Sequence, residues 1–266
     1  MIRREQLSEL SLDGLDPFGV VLSAAGPARD AGALSSGFLT GLVAEHRVVI
    51  LRGFAPLNGD EFPDFCRRTG ELQEWDFGVV NNLRVDPQAE NYLYTNGEVP
   101  FHWDGAFAGK IPHYIIFHCD AASADSGGGE TLFCDTLRLL AAAPKDLVKK
   151  WRQIDITYTP EKIVHYGGTF TSPLITRHPE THQEVLRFAE PVFDLNPVQL
   201  EVHGLADVSE TDFLTDLHQR LHRDAFCYRH SWRTGDLVIA DNYVLLHGRR
   251  EFAPAVKRQI RRVNVF

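Results

Sequence analysis

Of 266 residues one is methionine and four are cysteine, and no two of the cysteines form a C-x-x-C pair. Cys66, Cys119, Cys134 and Cys227 are scattered along the chain, which argues against a thiolate zinc site or a disulfide framework and for reduced thiols. Long apolar runs are missing as well. The basic N-terminal residues are followed by no hydrophobic stretch of the signal-peptide kind, and nothing reaches membrane-spanning length. With 36 acidic against 27 basic residues and a formal net charge of -9, the balance has the wrong sign for a nucleic-acid surface. No internal repeat, low-complexity tract or linker divides the chain, and no heptad or apolar patch speaks to its oligomeric state. The expectation is one cytoplasmic domain over residues 1–266 acting on a small molecule, with neither nucleic acid nor membrane as partner.

What is present is ordinary globular material, 44% hydrophobic and 24% charged, in a chain long enough for a sizeable core. Strand signals dominate: "HRVVILRGF" (46–54), "HYIIFHCDAA" (113–122), "GGETLFCDT" (128–136), "DLVIADNYVLLHG" (236–248) and the terminal "KRQIRRVNVF". The turn "SADSGG" joins the second and third of these either as a long hairpin or as a passage between two sheets. Helical spacing appears in 59–72, in 135–151 with a cap at Asp135 or Thr136 and a break at Pro144, and in 209–223. "SPLITRHPETHQEVLRFA" reads as a hairpin around His178 to His182. The economical architecture is a mainly antiparallel double sheet with helices packed outside.

Chemistry concentrates at "FHWDGAF" (101–107). In extended chain, residues two apart point to one side, so His102 and Asp104 present an imidazole and a carboxylate together. A third ligand is available in "NYVLLHGRREF", where His247 closes an apolar strand. Two histidines and one carboxylate leave other coordination positions open, the facial pattern of non-heme Fe(II) oxygenases. With twelve histidines in the chain, H-x-D alone is equally compatible with a hydrogen-bonded core histidine. Arg258, eleven residues after His247, adds weight: a dianionic 2-oxo acid on such a centre leaves a net negative charge that a buried guanidinium can meet with two parallel hydrogen bonds. On one terminal strand Arg258 and Arg262 share a face about 13 Å apart, enough to serve two anions. A basic edge strand that merely stays solvated is the plain alternative.

Together "HWDGAF", Thr131 in "GGGETLFCDT", "HGRREF" and Arg258 resemble the TauD/TfdA family of Fe(II)- and 2-oxoglutarate-dependent oxygenases, through roughly residues 46–266. The resemblance implies a mainly β fold with flanking helices around a double-stranded β-helix, or jelly-roll, core. It implies His102, Asp104 and His247 as iron ligands, Thr131 and Arg258 as 2-oxoglutarate contacts, O2 as oxidant, and Arg262 as partner of the substrate's acidic group. "YIIFHC", "SPLITRHP" and "VIADNYVLLHGR" are further similar to the PvcB-like members of isonitrile biosynthesis, a branch of secondary metabolism. That likeness implies desaturation of an aromatic amino-acid-derived isonitrile carboxylate of the tyrosine type, with Lys162 near the substrate carboxylate. Tyr94 and Asn96, upstream of the H-x-D, are expected to line the pocket. The alternatives are a TauD-like hydroxylase of another small acid and, from another class, a zinc hydrolase or a metal-binding protein without oxidation.

Overall fold

The computed structural model describes residues 10–25, 29–123, 127–162 and 168–266. In chain order the first half holds β1 (Leu10–Gly14), β2 (Val20–Ala24), α1 (Ser36–His46), β3 (Val48–Arg52), α2 (Glu61–Arg67), β4 (Asn81–Leu83), β5 (Val99–His102), β6 (Tyr114–Ala122) and β7 (Thr131–Asp135). There follow α3 (Thr136–Ala142), α4 (Lys145–Trp151), β8 (Asp155–Pro160), β9 (Phe170–Pro173), β10 (Ile175–Arg177), β11 (Glu184–Leu186) and β12 (Val198–His203). The chain ends in α5 (Glu210–Leu221), β13 (Cys227–His230), β14 (Leu237–Asp241), β15 (Leu245–Arg249) and β16 (Arg258–Val265).

Two sheets form the core of this mainly β, jelly-roll fold. The larger has seven strands in the order β1-β2-β3-β14-β6-β16-β4, and the smaller four in the order β13-β7-β15-β5. Their apolar runs are continuous because both faces are buried. Along β3, Val49 and Leu51 join the cluster beneath α1 and α2, while Val48 and Ile50 face the opposite way into the space between the sheets. The same period of two divides Ile116 from Ile115 and Phe117 on β6, and Ile239 from Val238 and Ala240 on β14. The outer face of the smaller sheet is covered by Trp151, Tyr158, Leu217 and Leu221 from α4, β8 and α5. A three-stranded sheet (β12-β8-β9) and the β10-β11 pair flank that side.

The structure decides the connection that the sequence leaves open. β6 lies in the seven-stranded sheet and β7 in the four-stranded one, so the turn after β6 carries the chain between sheets; residues 124–126 of it lie outside the described residues. "DLVIADNYVLLHG" likewise divides into β14 and β15 in different sheets. The corner is an Asx turn in which Asp241 Oδ1 accepts the N–H groups of Tyr243 (2.8 Å) and Val244 (3.1 Å). The helix over 135–151 starts on Asp135, whose carboxylate accepts the Arg138 N–H, and breaks at Pro144 into α3 and α4 as expected. That over 59–72 is shorter than its spacing suggests and stops at Arg67. The hairpin pairs Ile175 with Leu186 and Arg177 with Glu184. Among the described residues no helix is long and apolar enough to cross a membrane.

Candidate metal centre

β15 is the hinge of the site. It pairs with β7 on one side and β5 on the other, and the register sets His247 directly opposite His102. Their rings lie 4.2 Å apart between centroids. Gly248 permits this approach, since a Cβ there would stand 2.7 Å from the Val99 carbonyl of β5. Asp104 is not on the strand. β5 ends at His102, and the carboxylate is brought back by the turn that follows. Gly105 makes that turn with φ of +91°, a conformation that costs a residue with a side chain. Asn242 fastens it: its Oδ1 accepts the Asp104 N–H at 2.9 Å, and its amide donates to the Asp104 and Pro112 carbonyls at 3.0 and 2.9 Å.

The donor atoms of His102, Asp104 and His247 all lie within 4.8 Å of one another. Asp104 Oδ1 is 3.7 Å from His102 Nε2 and 3.9 Å from His247 Nε2. His102 Nδ1 donates to the Pro100 carbonyl at 2.9 Å, which leaves the Nε2 lone pair facing Asp104. Burial holds the His102 imidazole below its ordinary pKa, and burial together with His102 holds His247 well below. Burial would push Asp104 up, but Arg262 and the two histidines outweigh it and keep the carboxyl below the usual range. Arg262 Nη1 stands 3.1 Å from Asp104 Oδ2. Two neutral imidazoles and an ionised carboxylate, converging with none of the three facing nitrogens or oxygens spent on another protein donor except Arg262, are a donor set that fits Fe(II).

Beyond His247 the two sheets enclose a small cavity walled by Phe117, Thr131, His247, Arg258 and Arg262. Arg258 donates from Nε to the Gly129 carbonyl (3.0 Å), and its Nη2 stands 3.4 Å from Thr131 Oγ1, which also accepts from Trp232 Nε1 at 3.0 Å. No carboxylate lies within ion-pair distance of Arg258 among the described residues. Burial and the neighbouring Arg249 push this guanidinium down to about 9. A desolvated cation with open donors beside a hydroxyl is built to meet an anion. The parity expected of the last strand therefore holds: Arg258 and Arg262 both face the cavity.

On the other side of His102 and Asp104 a cleft of about 810 Å³, counting its open mouth, is walled by Trp75, Tyr92, Trp103, Phe107, Val192 and Arg262. The structure corrects two expected lining residues. Tyr94 turns inward, donating to Asn81 Oδ1 at 3.1 Å, and Asn96 ties its loop to Phe252 through bonds of 2.9 and 3.0 Å. A short 3-10 turn over Tyr92–Tyr94 sends Tyr92 and Leu93 to the cleft in their place. Lys162 is exposed, its backbone held at 2.7 and 3.1 Å by Asn196, two residues before the cleft residue Val198; its neighbours 163–167 lie outside the described residues. Arg262 is part-engaged by Asp104 as well as facing the cleft, a double position that sequence spacing does not convey. Asn242 is a further residue of the site, marked in the sequence only by the polar pair Asp241-Asn242 that interrupts an otherwise apolar run.

The model of the taurine catabolism dioxygenase TauD, TfdA family matches residues 14–264. The chain is 42% identical, over 98% of its length and 97% of the relative's, to the 3-((Z)-2-isocyanoethenyl)-1H-indole synthase of Fischerella ambigua. It is 35% identical to the tyrosine isonitrile desaturase of Pseudomonas aeruginosa, covering 93% of the chain and 87% of that protein. The solved structure of PvcB, an Fe, alpha-ketoglutarate dependent oxygenase from an isonitrile synthetic pathway, superposes with a TM-score of 0.81 at 32% identity, over 97% of this chain and 92% of that one.

Proposed function

The chain belongs to the TauD/TfdA family of Fe(II)- and 2-oxoglutarate-dependent dioxygenases, and from that premise we propose that it desaturates an isonitrile carboxylate derived from an aromatic amino acid. The observation that carries this reading is the aromatic cleft opening onto the unprotected side of His102 and Asp104 with Arg262 at its inner end. Aromatic walls suit an indole or phenol side chain, and a guanidinium suits the carboxylate. One relative named for making an isocyanoethenyl indole and another named for desaturating tyrosine isonitrile support this substrate class.

In this reading His102, Asp104 and His247 hold the iron, which with 2-oxoglutarate and dioxygen supplies the oxidising power to remove hydrogen from an unactivated carbon. The remaining work belongs to the chain. The Pro100 carbonyl keeps the His102 proton on Nδ1 and so keeps Nε2 available. Arg262 keeps Asp104 ionised, and Asn242 holds it at the end of its turn. Arg258 and Thr131 take the far carboxylate of 2-oxoglutarate, within a cavity separate from the substrate cleft. Val192, Phe107 and Trp103 exclude water from the substrate's reacting carbons. The balance is one 2-oxoglutarate and one O2 consumed, with succinate, CO2 and water released as the substrate loses two hydrogens.

A panel of tyrosine and tryptophan isonitriles, given to the Fe(II) enzyme with 2-oxoglutarate and oxygen, tests the proposal by product mass. Loss of two hydrogens, with or without CO2, is expected. Gain of one oxygen would establish a hydroxylase instead, and succinate at background with every isonitrile would overturn the substrate class.

A further inference from the structure

Two more groups of three ligand-type side chains converge among the described residues: His113, His178 and Asp241, and Glu190, His218 and His222. The first group is already committed. His178 Nδ1 accepts the backbone N–H groups of Glu180 (3.1 Å) and Thr181 (3.2 Å), so its proton sits on Nε2, the atom that faces Asp241 at 3.5 Å. An imidazole that accepts with one nitrogen and carries its proton on the other has no lone pair left for an ion.

The second group differs in that respect. His218 lies in the last turn of α5 and His222 caps its end, one turn apart on one face, with ring centroids separated by 4.3 Å. Glu190 reaches between them: Oε1 stands 2.6 Å from His218 Nδ1 and 3.0 Å from His222 Nε2. This carboxylate is fixed from behind, because Oε2 accepts the Phe101 N–H at 2.9 Å while the Glu190 N–H donates to the Phe101 carbonyl at 2.8 Å. Burial raises it, yet bonding to His222 and the neighbouring histidine charge hold it below the ordinary range, so it is ionised. The outer ring nitrogens, His218 Nε2 and His222 Nδ1, make no protein hydrogen bond among the described residues. With side chains 59% and 27% exposed, both imidazoles can carry their protons on these outer atoms. Both inner lone pairs are then free, and all three inner atoms point to one place.

We propose that Glu190, His218 and His222 form a second metal site, for a borderline divalent ion of the Zn2+ kind, with water in the remaining position. Two imidazoles and one carboxylate match that class, whereas Mg2+ and Ca2+ prefer all-oxygen shells. The ion replaces the protons now shared with Oε1 and pins the end of α5 to Phe101, the residue before His102. Since Glu190 also borders the substrate cleft, occupancy stiffens the strand that carries the first member of the candidate iron triad. This site stands independently of the proposed substrate.

Equilibrium dialysis of the metal-free full chain against Zn2+ near neutral pH tests it, with bound zinc counted by atomic absorption. Wild type is expected to hold two equivalents and His218→Ala one. His218 is exposed, so the variant keeps its fold and this pair decides the matter alone. The doubly substituted His102→Ala, His247→Ala chain is expected to keep one equivalent and to gain melting temperature on zinc addition. A single equivalent in wild type, a second that persists in His218→Ala, or filling of the outer site by Mg2+ would overturn the proposal.

Discussion

Replacing Arg258 by Met separates a ligand-binding cation from a structural one. In the free protein the guanidinium is buried, donates to the Gly129 carbonyl and, at 3.4 Å, to Thr131 Oγ1, and has its pKa pushed down to about 9. Its charge therefore opposes folding, and removing it offsets the lost bond to Gly129, worth about 1 kcal/mol. The free variant should melt within a few degrees of wild type or above it. Binding of 2-oxoglutarate is another matter. Two charge-assisted hydrogen bonds at about 1.5–3 kcal/mol each amount to roughly 3 kcal/mol at the low end, or about a 100-fold weaker Kd. At about 100 times the wild-type Kd, 2-oxoglutarate stabilises wild type by about 2.7 kcal/mol, which is roughly 5–11 °C for a chain of this size. The same concentration only matches the variant's Kd, giving about 0.4 kcal/mol, or roughly 1 °C. Thermal melts with Mn(II) as a redox-inert stand-in, with and without 2-oxoglutarate, measure both quantities. A variant that keeps the wild-type shift, or one that melts far lower while keeping it, would refute the assignment of Arg258 to the co-substrate.

Other expectations follow from contacts nearer the ligands and deeper in the sheets. Asn242→Ala removes the three bonds that hold the Asp104 turn and should weaken metal binding about 10- to 100-fold, as read by competition with a chromogenic chelator. Gly105→Ala places a Cβ 2.6 Å from the Lys110 carbonyl at a φ of +91°, so it should displace Asp104 and reduce metal loading, with the loss visible by atomic absorption. Arg52→Met removes from the buried Asp236 two bonds of 2.8 and 2.7 Å, leaving it the Arg233 N–H and His230, and should cost about 3 kcal/mol in urea melts. Burial raises Asp236, but Arg52 and His230 outweigh it and hold its folded pKa below normal. The unfolded chain therefore binds more protons between the two values. Its contribution is full above about pH 4 and is lost as pH falls through the folded value, so wild type should show this acid-side loss and Arg52→Met, which keeps only His230 and the Arg233 N–H beside Asp236, should show less of it.

How much of this could be read before folding differs from residue to residue. His102, Asp104, His247 and Arg258 were legible as candidates because their chemistry is written in residue type and order, and an eleven-residue step from His247 to Arg258 spans one corner and returns to the same cavity; Thr131 came only with the family resemblance, since its type alone suits any strand. The strands were legible because a sheet buried on both faces demands unbroken apolar runs, as β3, β6 and β14 show. The pocket walls were not. Tyr94 and Asn96 were the wrong members of a short segment because a single 3-10 turn rotates which side chains face inward, and no two-residue period survives such a turn. Lys162 could not be positioned from sequence either, since its backbone is held by Asn196, 34 residues later.

Residue types and their order thus determined the candidate donor set, the buried strands and an arginine on the inward face of the last strand, because each depends on local chemistry and period. Tertiary structure alone decided that His247 sits opposite His102, that Asn242 anchors Asp104, that Arg262 faces the Asp104 carboxylate as well as the cleft, and that Glu190 meets two histidines of a later helix. These are relations between segments up to 158 residues apart, fixed by sheet register and by which face of a helix packs inward, and neither is carried by any one stretch of chain.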